Sequence, residues 1–219
     1  KDIAKSFGLT FLYAVTSIPL NLVLSYSLAL FLKKEIKGVK ALRLLFYLPV
    51  LIPSIAFGQI WVDMLAYSST SAGGIINQML ANLHLPKLTF YSAEKTQFIT
   101  FLLTSQWGIG GGMIIWLAAL KNVSTEIYEA ADVDGANKFI KFFKITLPQL
   151  KPMFVFVLIT SIIGAFNIFE PVQLISGGGP DGSTKVVLFQ IYNEAFENGN
   201  NGMASAISVI LLIIMFALT

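Results

Sequence analysis

Five long apolar runs limit what this chain can fold into. They cover roughly Leu9–Leu32, Leu44–Ala66, Thr96–Leu120, Pro152–Ile175 and Met203–Thr219. Each has about the 17–25 residues that a helix needs to cross a ~30 Å hydrocarbon layer. Of the 219 residues, 55% are hydrophobic and only 12% charged, against about 25% charged in soluble domains. A soluble core of this size could not use so much apolar surface, but a bilayer can. The expected fold class is all-α: a polytopic membrane helical bundle with about five spanning helices, in a single domain over residues 1–219.

Both ends look cut. The chain begins at Lys1 rather than Met and enters an apolar run within a few residues. No signal-peptide pattern is visible there. The last run would reach only about 25 Å as a helix. The chain is therefore expected to be most of a longer membrane protein. Cysteine is absent, which excludes disulfides and thiolate metal sites. His84, the single histidine, sits in a polar loop without a ligand cluster and is expected to be solvated or locally hydrogen-bonded.

Charge orients the runs. The first connection carries Lys33, Lys34, Lys37, Lys40 and Arg43 against Glu35, and the third carries Lys121, Lys138, Lys141, Lys144 and Lys151. With alternating spans these two connections share a side. The other side has Lys1, Lys5, Lys87, Lys95 and Lys185. Ten cations against five place the first pair in the cytoplasm.

The connection over residues 121–151 carries the most information. Ser124 can cap a short helix running to about Val133, with Glu126 and Glu129 toward the positive end of its dipole. Asp134-Gly135 is a turn signal, because Gly supplies a positive φ at little cost. A second helix should follow, with Phe139, Phe142 and Phe143 at i, i+3 and i+4. Pro148 should end it and Pro152 open the next span. Phe and Lys at this spacing also fit an interfacial helix on lipid headgroups.

Taken together, Glu129-Ala130-Ala131, Asp134-Gly135-Ala136, Phe142, Ile145, Leu147-Pro148 and Pro152 resemble the signature loop of binding-protein-dependent ABC importer permeases. A looser block, Gly177-Gly178-Gly179-Pro180 with Thr184, Tyr192, Ala195-Phe196 and Gly202 before Ala204-Ser205-Ala206, is similar to the carbohydrate-uptake branch. That branch includes subunits like the larger membrane subunit of the maltose importer. Met203 departs from it, where an aromatic is more usual.

The resemblance implies a six-helix core, with one helix preceding Lys1. It also implies that the loop docks in a groove of a cytoplasmic ABC ATPase dimer, with Glu129 meeting a basic residue and Gly135 allowing the bend. The expected partners are that dimer, a second permease subunit (a different chain rather than a copy), an extracytoplasmic solute-binding protein and membrane lipid, with no nucleic acid. The expected location is a bacterial or archaeal inner membrane.

No Gly-Lys pair exists in the chain, so neither Gly108–Gly112 nor Gly177–Gly182 reads as a phosphate loop. The chain is expected to be a transport subunit rather than an enzyme. It should have no catalytic residue, metal or cofactor of its own, with ATP held by partner subunits. The glycines within the third run instead suit close helix packing.

Polar residues inside spans mark candidate solute contacts. Counted from the cytoplasmic ends, Gln59 and Asn167 each lie about 15 residues into their runs, roughly 22 Å deep. Asp63 and Glu170 are one turn further out, at a depth that also suits simple solvation at the headgroups. Gln106 and Trp107 lie near the midplane; Gln106 and Asn167 would serve equally well as interhelical glue. Gln59, Gln106, Trp107, Asn167 and Glu170 are the expected path residues, and amides beside an aromatic face suit a neutral polyhydroxylated ligand. No Lys or Arg falls inside a run, which disfavours an anion. The alternatives are a permease for another small solute (a glycerol phosphodiester, polyamine or peptide) and an ion-coupled secondary transporter. The last should show a midplane carboxylate and two similar halves, and neither is visible.

Overall fold

A computed structural model describes residues 2–34, 36–70, 73–91 and 94–219. Lys1 and Glu35, both used in the charge comparison, lie outside the described residues. Among the described residues the chain is all-α. In order come α1 (Asp2–Leu32), α2 (Val39–Tyr47), α3 (Ser54–Leu65), α4 (Ile75–Asn82), α5 (Glu94–Thr104) and α6 (Ile109–Lys121). Then follow α7 (Thr125–Val133), α8 (Lys138–Lys141), α9 (Leu147–Phe166), α10 (Val187–Tyr192) and α11 (Asn201–Leu218). Four stretches are long and apolar enough to cross a membrane: Asp2–Leu32, Thr96–Lys121, Lys138–Phe166 and Asn201–Leu218. The sharply bent pair Val39–Leu51 plus Ser54–Leu65 adds a fifth if it forms one span.

Three of the expected runs differ from single helices; the third, Thr96–Leu120, passes through a 3-10 turn at Ser105–Gly108 that holds Gln106 and Trp107. Between Leu44 and Ala66, α2 passes into a 3-10 turn at Leu48–Leu51, and Pro53 breaks the helix with ψ of 141°. Pro49 and Pro53 cannot donate to the ladder, and each disfavours helical geometry in the residue before it. The run expected over Pro152–Ile175 begins earlier and stops sooner, since α9 ends at Phe166 and a separate π-helical turn follows at Val172–Ser176.

Asn167 is the residue just after α9, and because the helix is continuous from Pro152 to Phe166 it stands about 22 Å along the axis from Pro152. Gln59 stands in the second turn of α3, after the break, and not deep in a continuous helix.

The chain divides into two compact units. One comprises Lys1–Ser17, Ile52–Trp107 and Ile162–Thr219. Its core includes Phe101, Val172, Val186, Val187, Phe189, Ile207 and Leu211. Ser6, Thr10, Ala14 and Ser17 form a buried small-residue face on its part of α1, which permits close helix contact in lipid. In this unit α10 packs on α11, and α3 lies against α4 and the Val172–Ser176 turn. Gly58 makes the last contact possible, because a Cβ there would lie 2.5 Å from that of Leu174.

The other unit comprises Ile18–Leu51 and Gly108–Ser161. Ala29, Leu32, Met113, Trp116, Leu120, Leu150 and Val157 build its core, with Tyr26 edge-on to Trp116 at 5.3 Å between ring centroids. Two members of the glycine cluster act as expected. A Cβ on Gly110 would lie 2.0 Å from the Phe46 carbonyl oxygen, and one on Gly112 would lie 3.0 Å from the Ser25 Cβ. Arg43 closes the end of α1, its Nη2 donating to the Leu32 carbonyl at 2.7 Å, as basic side chains do at helix C-termini.

Candidate functional site

The polar stretch 121–151 folds as a helical elbow within the second unit. Ser124 caps α7, its hydroxyl accepting from the Glu126 amide at 3.2 Å. Glu126 then sits in the first turn, where unpaired N–H groups favour a carboxylate. Gly135 terminates α7 with φ of 71°. Its neighbour Ala136 donates back to the Ala131 carbonyl at 2.9 Å, the six-to-one bond of a Schellman ending. Asn137 then caps α8, its side-chain oxygen accepting from the Ile140 amide at 2.9 Å. Asn137 was not among the predicted site residues; an Asn two positions after a helix-ending Gly is the signal for it.

Beyond α8 the chain corrects the expectation that Pro148 ends a helix. α8 runs through a π-helical turn at Phe142–Thr146 straight into α9, with both Pro148 and Pro152 inside the continuous stretch. In a tight α-turn the Pro148 ring would collide with the carbonyl four residues back. The wider π-turn, in which the Leu147 amide bonds the Phe142 carbonyl, carries the chain past it.

Side chains brace the elbow. Lys141 and Asp132 form an ion pair across the bend. The Tyr128 and Thr146 hydroxyls share a 2.6 Å hydrogen bond. The Lys33 ammonium stands 5.5 Å from the Tyr128 ring centroid, within cation–π reach.

The predicted loop residues therefore fall on one braced element, in different environments. Glu129, Ala130, Asp134, Gly135, Leu147 and Pro148 are exposed; Ala136, Phe142 and Ile145 are half-buried; Ala131 is buried. Around the exposed acids, Val133 is 89% exposed, Phe139 76% and Phe143 59%. A rigid elbow that presents apolar side chains beside carboxylates is chemically suited to dock a protein partner.

The expected path residues all belong to the first unit. Trp107 meets Trp61 edge-on at 5.2 Å, which sets it beside α3. Gln59 is exposed and donates to Asp63 Oδ1 at 3.0 Å. Gln106 is buried, and its Nε2 donates to the Leu102 carbonyl and to Ser105 Oγ, both at 3.2 Å. Asn167 is exposed and donates to the Ile163 carbonyl at 3.0 Å, while Glu170 is exposed beyond the end of α9. The amides of Gln106 and Asn167 thus both donate to carbonyls one turn back in their own segments.

A second polar constellation surrounds the glycine-rich block, also in the first unit. Thr184 Oγ1 donates to Ser176 Oγ at 2.7 Å, and Ser183 Oγ donates to Gln97 Oε1 at 3.1 Å. Gly179 has φ of 77°, and a Cβ there would stand 2.5 Å from Gln97 Oε1. Gln97 escaped the sequence reading, although a lone amide near the start of an apolar run is a signal for such a role.

The pattern of the family described as "Binding-protein-dependent transport system inner membrane component" matches residues 21–219. A probable ABC transporter permease protein, YesP of Bacillus subtilis, is 36% identical over 218 residues, covering 98% of this chain and 69% of that protein. The trehalose/maltose transport system permease protein MalF of Thermococcus litoralis is 30% identical over 208 residues, covering 94% of this chain and 69% of that one. The fold is shared with a chain in the crystal structure of a bacterial alginate ABC transporter in complex with an alginate pentasaccharide-bound periplasmic protein. There the TM-score is 0.86 at 22% identity, over 98% of this chain and 74% of that chain. The chain belongs to the family of binding-protein-dependent transport system inner membrane components.

Proposed function

We propose that this chain is the membrane permease subunit of an ATP-driven, binding-protein-dependent importer whose solute is a sugar or oligosaccharide. The braced elbow at residues 124–148 carries the reading. It exposes Glu129, Asp134, Val133 and Phe139 on a rigid support, as a contact that must transmit force to the spans requires. The lysine balance supports a cytoplasmic elbow, within reach of a pair of ABC ATPase subunits. Those subunits hold and hydrolyse ATP. A solute-binding protein delivers solute on the opposite face, and a second permease chain completes the pore. Closure of the ATPases moves the elbow as a body and switches the access of the path.

Sugar is favoured by the named role of the Thermococcus relative and by the lack of any cation within the apolar runs. Gln59, Gln106, Trp107, Asn167 and Glu170 remain the proposed path residues, with Trp107 best placed to stack on a pyranose.

The test is ATP hydrolysis by the assembled transporter in vesicles, with its binding protein and candidate sugars. Glu129→Lys should abolish most sugar-stimulated hydrolysis while the subunit still inserts. Full stimulation in that variant removes the docking role. Stimulation by a non-sugar solute alone removes the sugar assignment and leaves the docking role standing.

A further inference from the structure

We propose that α4 is an interfacial element, lying at the bilayer surface with Ile75, Met79 and Leu83 against lipid. At about 100° per residue these three fall in one sector of the helix, and Gln78 and Asn82 fall in the adjoining one. Ile75, Met79 and Leu83 are 52%, 57% and 68% exposed, and Gln78 and Asn82 are also exposed. No charged residue occurs between Ile75 and Leu83. The outward half of the helix is therefore split lengthwise into an apolar flank and a neutral polar flank. Such a division suits a boundary between hydrocarbon and water.

The depth of α4 is set by its attachments. Asn77 is fully buried on the opposite face, donating to the Ala66 carbonyl at 3.0 Å and the Leu88 carbonyl at 3.1 Å, while its oxygen accepts from the Leu88 amide at 2.9 Å. Ala66 is the residue immediately after α3. Gly74, the N-cap of α4, donates to the same carbonyl at 2.8 Å. A Cβ on Gly74 would lie 2.4 Å from the Asp63 and Met64 carbonyl oxygens. The start of α4 is thus pressed onto the last turn of α3, where the apolar run ends.

Neighbouring side chains mark that level as the polar boundary. Asp63 and Tyr67 are exposed there, and the phenol of the half-buried Tyr91 donates to the Trp61 carbonyl at 3.4 Å. Tyr, Trp and a first carboxylate at the end of an apolar run are the composition of a membrane interface. An apolar flank held at that height meets the acyl–headgroup boundary rather than water. The leaflet is the outer one if the elbow is cytoplasmic; the contact with lipid holds for either orientation.

The chain has no cysteine, so single cysteines at 78, 79 and 83 can carry a small fluorophore in the assembled transporter. The vesicles would be phosphatidylcholine and phosphatidylglycerol, with or without a lipid brominated near the headgroup. Labels at 79 and 83 should lose most of their emission to the brominated lipid and little to aqueous iodide, and the label at 78 should do the reverse. Iodide quenching at 79 and 83 equal to that at 78 would overturn the proposal. Shielding of 79 and 83 from both quenchers would overturn it too, because a protein partner would then cover the flank. If labelling at 79 impairs assembly, position 75 tests the same flank.

Discussion

The Tyr128 phenol and the Thr146 hydroxyl lie 2.6 Å apart, tying α7 to the π-turn that leads into α9. Thr146 is buried and its oxygen also approaches the Lys141 carbonyl at 3.3 Å. The bond joins the part of the elbow that would receive a partner to the part that would move a span.

Tyr128→Phe and Thr146→Val should therefore each lower stability by about 0.5–1.5 kcal/mol, the net worth of one hydrogen bond. Together they should cost less than their sum. Thermal unfolding of the solubilised protein, read as a double-mutant cycle, checks this. Strict additivity would show that the two hydroxyls contribute independently.

Gly135 is needed for its backbone and not for space. Its φ is 71° and a Cβ there would meet nothing within 4 Å. Gly135→Val should strain the turn by about 1–2 kcal/mol and depress ATP hydrolysis in the assembled transporter. Gly135→Asn should retain most activity, since Asn tolerates the left-handed region. Equal activity in both variants would separate the turn geometry from coupling.

Gly110 presents the opposite case. A Cβ there would lie 2.0 Å from the Phe46 carbonyl oxygen, whereas one on Gly108 would meet nothing within 4 Å. Gly110→Ala should force α2 and α6 apart at about 1–3 kcal/mol and lower the unfolding temperature, and Gly108→Ala should not. A stable Gly110→Ala protein would mean that the α2–α6 contact yields easily.

Orientation can be read with the same cysteine-free background. In intact cells an impermeant maleimide should label a cysteine at 181 but not one at 138, following the ten-to-five cation bias. Labelling at 138 alone would invert the topology and place the elbow outside.

Much of this protein was decided locally. The length of the apolar runs sets the all-α membrane class, because lipid leaves backbone groups no other partner. The Ser124 cap and the Gly135 turn were legible because caps and left-handed turns depend on one or two residues and their nearest amides. The tertiary structure decided what rests on distant partners. Pro148 looked like a helix end but stands inside a continuous stretch, because a π-turn, braced by Tyr128 from 18 residues away, replaces the tight turn that proline forbids. Asn77 gains its role only where its amide meets carbonyls 11 residues to either side. Gln97 and Ser183 are 86 residues apart and acquire a joint role only when the glycine-rich loop passes close enough for one to donate to the other. A local pattern can set where a helix begins, turns and crosses a membrane. Which polar group each buried donor finds depends on chain segments that only the fold brings together.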